Sequence, residues 1–305
     1  MECLICKNKA EKSFLCEVRL LEKPVHRLVS CTECGAAFFE PPPSLFELEE
    51  FYGNTYYDFD KYRDEYSGGL LAAKLKRISQ KGRFLDIGCS TGHFLKGVQT
   101  KSGWEVSGTE FSKNAVAYAK EKLGLEVKHG DLIKAGFQEN YFDYIRMNHV
   151  LEHVTDPVSF LKEIYRILKP AGTFQLMLPN GKLDLALLTR FYREEKTAPK
   201  SKDGHIFFFP DRTLLLLLEK AGFKIQSTKT CSVSRGLKIS GFLPLNKDWK
   251  DAYCLTKKEA QKEFNSGAGK IHSGFYYRYR HFMNNSKNIP GLHAFGLDYL
   301  VLAGK

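Results

Sequence analysis

The stretch that most constrains this chain is residues 83–92, RFLDIGCSTG, where a short apolar run passes into a turn of small residues. The run has the composition of a strand buried in a parallel sheet, and the pattern after the turn is helical. Gly88 and Gly92 lack a Cβ, so the backbone there can adopt positive φ and approach a ligand. Because the free amides of the helix start face the same space, the stretch predicts a ligand-binding turn. A tight turn without a ligand is the alternative.

The rest of the chain alternates between strand and helix patterns. Six further strands are expected, at residues 104–110, 126–131, 142–147, 173–180, 223–228 and 297–302. This alternation predicts an α/β fold with a doubly wound, Rossmann-like, mostly parallel seven-stranded sheet that binds ligands at the carboxyl ends of its strands. Glu110 ends the first of these six strands, 22 positions after Gly88, where such sheets bind the two hydroxyls of a ribose.

Four of the eight cysteines form two C-x-x-C pairs near the N-terminus. Cys3 with Cys6, and Cys31 with Cys34, can each present two thiolates from one turn, so the pattern predicts a structural Zn²⁺ site with four cysteine ligands. Disulfides are the alternative, but the sequence shows no secretory signal. Cys16 is a substitute ligand.

The sequence suggests three consecutive parts. Residues 1–40 are expected to form a zinc ribbon, which ends at three consecutive prolines. Residues 41–82 are expected to be a helical linker that covers the cofactor site. Residues 83–305 are expected to form the main domain, with an insertion at about residues 231–296 between the last two strands.

The net charge of +11 is confined to the C-terminal part of the chain. Residues 181–305 contain 22 Lys and Arg against 11 Asp and Glu, whereas residues 1–180 contain 24 of each. The excess suggests an anionic or lipid-linked acceptor, or peripheral contact with an acidic membrane surface; a solvated basic face is the alternative. No apolar run approaches the roughly 18 residues of a membrane helix, and we expect a cytoplasmic protein.

In their order and spacing, these pieces resemble the class I S-adenosylmethionine-dependent methyltransferases that carry an N-terminal zinc module. The resemblance rests on residues 85–92, 151–157, 168–172, 179–180 and 221–223, together with the acids Glu110 and Asp131. Ser90 departs from the pattern, because many members have glycine there. Sugar C-methyltransferases and quinone-type O-methyltransferases are the similar groups.

The resemblance implies S-adenosylmethionine as the cofactor, with Glu110 at the ribose and Asp131 near the adenine. The implied cofactor-binding residues are Asp86, Gly88, Cys89, Gly92, Glu110, Phe111, Asp131, Leu132 and Asn148.

Methyl transfer to a hydroxyl or an acidic carbon also needs a base, and histidine suits this role at neutral pH. His205 resembles a catalytic histidine of the sugar C-methyltransferases, although Gly204 replaces the glutamate that precedes it in those enzymes. A structural role for His205 is the alternative, and His149 is the second candidate. We expect a small-molecule acceptor, namely a sugar or glycolipid intermediate of surface polysaccharide, with a quinone-like phenol as the alternative. The oligomeric state stays open.

Three other functions compete with this interpretation. An NAD-dependent dehydrogenase shares the predicted sheet, but this chain has Ser90 where a dinucleotide site needs a second glycine. His149, Glu152 and His153 spell the H-x-x-E-H signature of zinc hydrolases, yet a sustained helix is not expected there. In quinone O-methyltransferases, acids and a histidine of the corresponding segment hold a divalent metal. In this chain, His149 stands in the place of one of those acids. A zinc-ribbon nucleic-acid-binding protein would explain the basic C-terminal part, but no base-reading module is evident.

Overall fold

The structure is a computed structural model that describes residues 2–20, 24–53, 61–201, 204–231 and 298–305. Its strands are β1 (Lys12–Arg19), β2 (Val25–Cys31), β3 (Ala37–Glu40), β4 (Arg83–Ile87), β5 (Glu105–Glu110), β6 (Val127–His129), β7 (Phe142–Asn148), β8 (Leu168–Pro179), β9 (Phe207–Phe208), β10 (Lys224–Cys231) and β11 (Asp298–Gly304). Its helices are α1 (Leu45–Gly53), α2 (Lys61–Ile78), α3 (His93–Ser102), α4 (Lys113–Leu123), α5 (Pro157–Ile167), α6 (Gly181–Glu195) and α7 (Asp211–Lys220). The predicted insertion from residue 232 onward and residues 54–60 of the predicted cofactor cover lie outside the described residues.

The larger sheet has seven strands in the order β10-β11-β8-β7-β4-β5-β6. Strands β4 to β8 are mutually parallel, whereas β11 runs antiparallel to both β8 and β10. This confirms the predicted α/β fold with a mostly parallel seven-stranded sheet. The strand order reverses beside β4, where β5 lies on one side and β7 on the other, and this is where open α/β sheets bind ligands.

Two helices begin at a serine and an aspartate whose side chains cap them. The Ser112 side chain accepts a hydrogen bond from Ala115 N at the start of α4, and Asp156 accepts one from Ser159 N at the start of α5. Helix α6 has no counterpart in the sequence-based prediction. The side chain of Asn180 caps it, and its buried face is formed by Gly181, Leu183, Leu187 and Leu188.

Strand β8 begins five residues earlier than predicted. Its first residue, Leu168, lies opposite Phe142 of β7, so the chain pairs with the sheet as soon as α5 ends at Ile167. Pro170 lacks an N–H and cannot continue the helix, which fits this early change to strand.

The N-terminal segment shares a sheet with a later part of the chain, because the smaller sheet has the order β1-β2-β3-β9 and its last strand comes from beyond residue 200. Ala37 pairs with Phe208, and Phe38 pairs with Phe207. Phe38 and Phe207 are 2% exposed and belong to the same apolar cluster as Leu85 of the large sheet. The N-terminal segment with the four cysteines therefore shares both a sheet and a core with the rest of the chain.

Helix α2 packs closely against α3, which is the helix that begins at the glycine turn. An ideal Cβ on Gly68 would lie 2.1 Å from the carbonyl oxygen of Phe94, and one on Gly97 would lie 2.2 Å from that of Glu65. Glycine at these two positions therefore sets the distance between the helices. Among the described residues, no helix has the length and apolar character of a membrane span.

Gly68→Ala should lower the free energy of unfolding by about 1–3 kcal/mol, because the added methyl group meets backbone that cannot move aside. Gly69→Ala is the matched control on the same helix. A Cβ there meets only Lys101 Cγ, at 3.5 Å, so the better helix propensity of alanine should leave stability unchanged or raise it by up to about 1 kcal/mol. Urea denaturation of both variants checks this, and equal midpoints would contradict the close packing.

Candidate functional site

The glycine turn after β4 requires its glycines. Gly88 and Gly92 have φ of 71° and 82°. A Cβ on Gly88 would lie 2.3 Å from Val150 Cγ2, and one on Gly92 would lie 2.6 Å from Leu125 Cδ1. Ser90 also has positive φ, at 54°, so serine adopts the conformation that suits glycine in related turns. Gly88 N and Cys89 N both donate to the carbonyl oxygen of Thr109, which fixes the turn against β5.

Glu110, at the end of β5, is 8% exposed and ties the turn to the start of α4. Its carboxylate accepts hydrogen bonds from Ser90 N at 2.9 Å and from Ser112 N at 2.8 Å. An ionised carboxylate has about four lone-pair sites, so acceptor capacity is left for two ribose hydroxyls. The ribose role stays a prediction, and the structure adds a role in shaping the turn.

The other predicted cofactor residues on this side lie around the ends of β5 and β6. Phe111 is 44% exposed, and its ring is 6.5 Å from that of His129. Asp131 is exposed and accepts a hydrogen bond from Ile133 N, whereas the neighbouring Leu132 is buried. An exposed ring with an acid and an apolar side chain nearby suits an adenine, as the resemblance implies.

Asp86 is fully buried beneath the turn and pairs with Arg146 of β7, whose Nη1 lies 2.7 Å from Asp86 Oδ1. The Arg146 guanidinium also lies 3.8 Å from the ring centroid of Phe94. Burial raises the pKa of Asp86, and the charge of Arg146 opposes this rise. Asp86 Oδ2 and Asn148 Oδ1 are buried acceptors without a hydrogen-bond partner among the described residues. Orphan acceptors at the ends of two adjacent strands fit the ammonium group of S-adenosylmethionine.

Next to the turn lies a cluster formed by Glu152, His149, His153 and His205, which we call the histidine cluster. Glu152 is 2% exposed, and neither carboxylate oxygen has a hydrogen-bond partner among the described residues. Its Oε1 lies 3.3 Å from His149 Nδ1, and 3.9 Å from Nε2 of both His153 and His205. Since Val150 packs against Gly88, the cluster is close to the cofactor turn.

Burial and charge set the protonation of this cluster. Burial favours neutral Glu152, but the contact with His149 and the nearby histidine charges lower its pKa to about 2. Burial lowers the pKa of His153 to about 4, so this side chain is neutral at pH 7. For His149, burial lowers the pKa but the contact with Glu152 outweighs it, and the net shift is upward. The cluster therefore combines a buried anion with imidazoles that can accept a proton.

His205 comes to the cluster from a distant part of the chain. It precedes β9 and is 9% exposed, and its Nδ1 lies 3.2 Å from Asp184 Oδ2 of α6. His153 is held in turn by the carbonyl oxygen of Gly204, 3.1 Å from its Nδ1. The structure thus places both predicted catalytic histidines, His205 and His149, around Glu152, at the carboxyl end of β7; their catalytic roles stay predictions.

The segment that spells H-x-x-E-H does not form the helix of a zinc hydrolase. Only Leu151–His153 is helical, as a single 3₁₀ turn, and His149 has φ of 54°. One potential ligand atom from each of Glu152, His153 and His205 lies within 4.8 Å of the others, so these side chains could hold a cation. The sequence did not associate His205 with this segment.

Sequence reasoning also missed Asp184 and Arg146, which no motif marks.

The four predicted zinc ligands lie together. Cys3 Sγ is 3.7 Å from Cys34 Sγ, and Cys6 Sγ is 3.8 Å from Cys31 Sγ. A tetrahedron with Zn–S bonds of about 2.3 Å has edges of about 3.8 Å, so the thiols fit Zn²⁺. Cys16 is not part of this group; it is fully buried, and burial raises the pKa of its thiol to about 12. The substitute role is therefore not supported.

Glu110→Ala should weaken S-adenosylhomocysteine binding by about 1–3 kcal/mol, because the ribose loses a charged acceptor and Ser90 N loses its partner. Glu121→Ala, an exposed carboxylate on α4, is the control and should bind normally. Calorimetry on folded variants measures both. An unchanged affinity for Glu110→Ala would remove this residue from the cofactor site.

Comparison with known proteins gives a family for this geometry. A family model described as a methyltransferase domain matches residues 59–228, which is more than half of the chain. The match starts after the N-terminal cysteine segment and ends within β10.

Two curated relatives are demethylmenaquinone methyltransferases. The protein of Staphylococcus epidermidis is 34% identical over 166 residues, which cover 47% of this chain and 69% of the relative. The protein of Staphylococcus aureus is 34% identical over 160 residues, covering 46% of this chain and 66% of the relative. The match therefore spans about two thirds of each relative.

Among solved structures, a candidate sarcosine dimethylglycine methyltransferase from Galdieria sulphuraria superposes with a TM-score of 0.51 at 17% identity, covering 80% of this chain and 85% of that chain. At this identity the likeness shows the fold. The family match over residues 59–228 shows that the chain belongs to the methyltransferase-domain family as a class I S-adenosylmethionine-dependent methyltransferase, which replaces the dehydrogenase interpretation.

Proposed function

We propose that this enzyme methylates a quinone-like ring that carries a hydroxyl group, and that His205 takes the proton of that hydroxyl. The observation that carries the base assignment is the buried histidine cluster beside the cofactor turn. The quinone-like acceptor is supported by the two demethylmenaquinone methyltransferases that share 34% identity with this chain. These relatives favour the quinone-type alternative, and none of them supports the sugar or glycolipid acceptor that the sequence first suggested.

When bound, S-adenosylmethionine would supply a methyl group on a positively charged sulfur, and this sulfur would leave as a neutral thioether while the acceptor's electron pair forms the new bond to the methyl carbon. The residues of this chain hold that donor and manage the proton. Glu110 and the turn from Gly88 orient the nucleoside end, while the orphan acceptors of Asp86 and Asn148 suit the ammonium end.

The acceptor's hydroxyl needs to lose its proton because a phenolate is a far better nucleophile than a phenol. His205 Nε2 faces Glu152, so an imidazolium formed there is stabilised by a buried carboxylate. His153, with a pKa of about 4, stays neutral and does not compete for a positive charge. Deprotonated, the ring can react at oxygen or at carbon, and the same base serves both outcomes.

The basic excess of residues 181–305 fits an acceptor that lies at an acidic membrane surface, where a lipid-linked quinone is found. We therefore propose peripheral membrane contact by this part of the chain, and no nucleic acid partner. A cytoplasmic location remains part of this proposal.

Purified enzyme should transfer a labelled methyl group from S-adenosylmethionine to reduced demethylmenaquinone with a short side chain. His205→Ala should lower this turnover roughly 10²- to 10⁴-fold, with the affinity for S-adenosylhomocysteine nearly unchanged, because the base acts only on the acceptor. Transfer to nucleotide-linked sugars alone would refute the acceptor class. Full turnover by His205→Ala would refute the base assignment.

We also propose that Cys3, Cys6, Cys31 and Cys34 hold one structural Zn²⁺. The site is supported by the thiol distances and by two matching turns, in which Lys7 N donates to Cys3 O and Gly35 N donates to Cys31 O. A metal here would compensate for the small core of the first 40 residues.

Metal analysis should find one zinc per chain, and the double variant Cys3→Ser, Cys34→Ser should lose it, because two ligands cannot retain the ion against dialysis. Cys16→Ala is the control and should retain one zinc. Zinc content that survives the double substitution, or a wild-type protein without zinc, would refute the four-cysteine site.

A further inference from the structure

His205 lies between two carboxylates that come from different elements. Its Nδ1 is 3.2 Å from Asp184 Oδ2 in the first turn of α6, and its Nε2 is 3.9 Å from Glu152 Oε1 in the 3₁₀ turn after β7. The side chains of His205 and Asp184 are 11% and 16% exposed, so water competes weakly for their contact. The imidazole is thus oriented from both sides.

These contacts determine where the proton of a neutral imidazole resides. An ionised carboxylate can only accept hydrogen bonds, so the ring nitrogen that bonds to Asp184 must be the one that carries hydrogen. A neutral imidazole has a single N–H, so its basic lone pair is then on Nε2. Nε2 is the atom that faces Glu152 and the rest of the histidine cluster.

We propose that Asp184 is a positioning residue that holds His205 in the Nδ1–H tautomer and so makes Nε2 the proton acceptor. The proton of the acceptor's hydroxyl goes to Nε2, and the resulting imidazolium keeps its Nδ1–H on Asp184 while its new N–H faces Glu152. The catalytic consequence rests on the proposed function, whereas the tautomer does not.

The position of Asp184 on the fold supports this role. Asn180 caps α6 by accepting a hydrogen bond from Lys182 N, and Asp184 N donates to the carbonyl oxygen of Asn180, so the first turn of the helix is fixed. On the opposite side, the peptide N–H of Ile206 donates to the carbonyl oxygen of Glu152. Backbone hydrogen bonds therefore anchor Asp184 itself on one side and the residue that follows His205 on the other.

The test is a ¹⁵N NMR titration of the histidine rings in the full-length protein, which reports the tautomer and pKa of each ring without any acceptor. His205→Ala identifies the His205 signals by their loss. Among the described residues, charged or titratable groups that face this ring include Asp184, Glu152, His153 and His149, so their variants or signals are followed in the same spectra.

In the wild type, the neutral ring of His205 should carry its proton on Nδ1 and none on Nε2. Asp184→Asn keeps the side-chain volume but offers an N–H₂ group, so it should shift the ring to the Nε2–H tautomer or to a mixture. Asp184→Ala removes the acceptor of the Nδ1–H group and should likewise shift the ring to the Nε2–H tautomer or to a mixture. Glu194→Ala, an exposed carboxylate on the same helix that pairs with Arg190, is the control and should leave the tautomer unchanged.

An unchanged Nδ1–H tautomer in both Asp184 variants would overturn the proposal. With the tautomer shifted, Asp184→Asn should also lower turnover at least tenfold, with S-adenosylhomocysteine affinity within about twofold of the wild type. If His205→Ala is fully active, the base assignment of the proposed function fails. The tautomer assignment is decided separately, by the NMR spectra of the Asp184 variants. The two failures are therefore distinguishable.

Discussion

Three parts of this molecule meet at the backbone of one residue, Ile206. Its N–H donates to the carbonyl oxygen of Glu152 after β7, and its carbonyl oxygen accepts from Phe39 N in the N-terminal sheet. The residue before it is His205, and the residue after it begins β9. Because both backbone polar groups of this buried residue need partners, the position of the adjacent His205 is fixed by the large sheet and by the N-terminal sheet together.

This arrangement gives the N-terminal segment a role beyond its own stability. A 40-residue unit has too little apolar surface to fold strongly alone, and here it completes its core with Phe207 and its sheet with β9. The hydroxyl of Thr213 donates to the carbonyl oxygen of Cys34, so a cysteine knuckle is also tied to α7. Metal binding at the four cysteines would therefore stabilise the small sheet that β9 joins, shortly after His205.

The histidine cluster is costly to the fold, since a buried carboxylate without a hydrogen-bond donor loses much of its hydration energy. The cost of burying the Glu152 carboxylate is offset by histidine nitrogens at 3.3 to 3.9 Å instead of by well-aligned hydrogen-bond donors. A hydrophobic side chain of similar volume would serve stability better. Groups of this kind are concentrated where a protein needs perturbed pKa values, which is why the cluster carries the proposed chemistry.

The sequence alone determined the sheet, the glycine turn, the helix caps at Ser112 and Asp156, and the grouping of the four cysteines. These features depend on local periodicity, on residues with special backbone freedom, and on short spacings, all of which are visible along the chain. Tertiary structure decided that β9 joins the N-terminal sheet, that α6 brings Asp184 to His205, and that Arg146 neutralises Asp86. Those contacts join residues 21 to about 170 positions apart, and no local pattern encodes which of many polar side chains will meet once the strands are ordered in space.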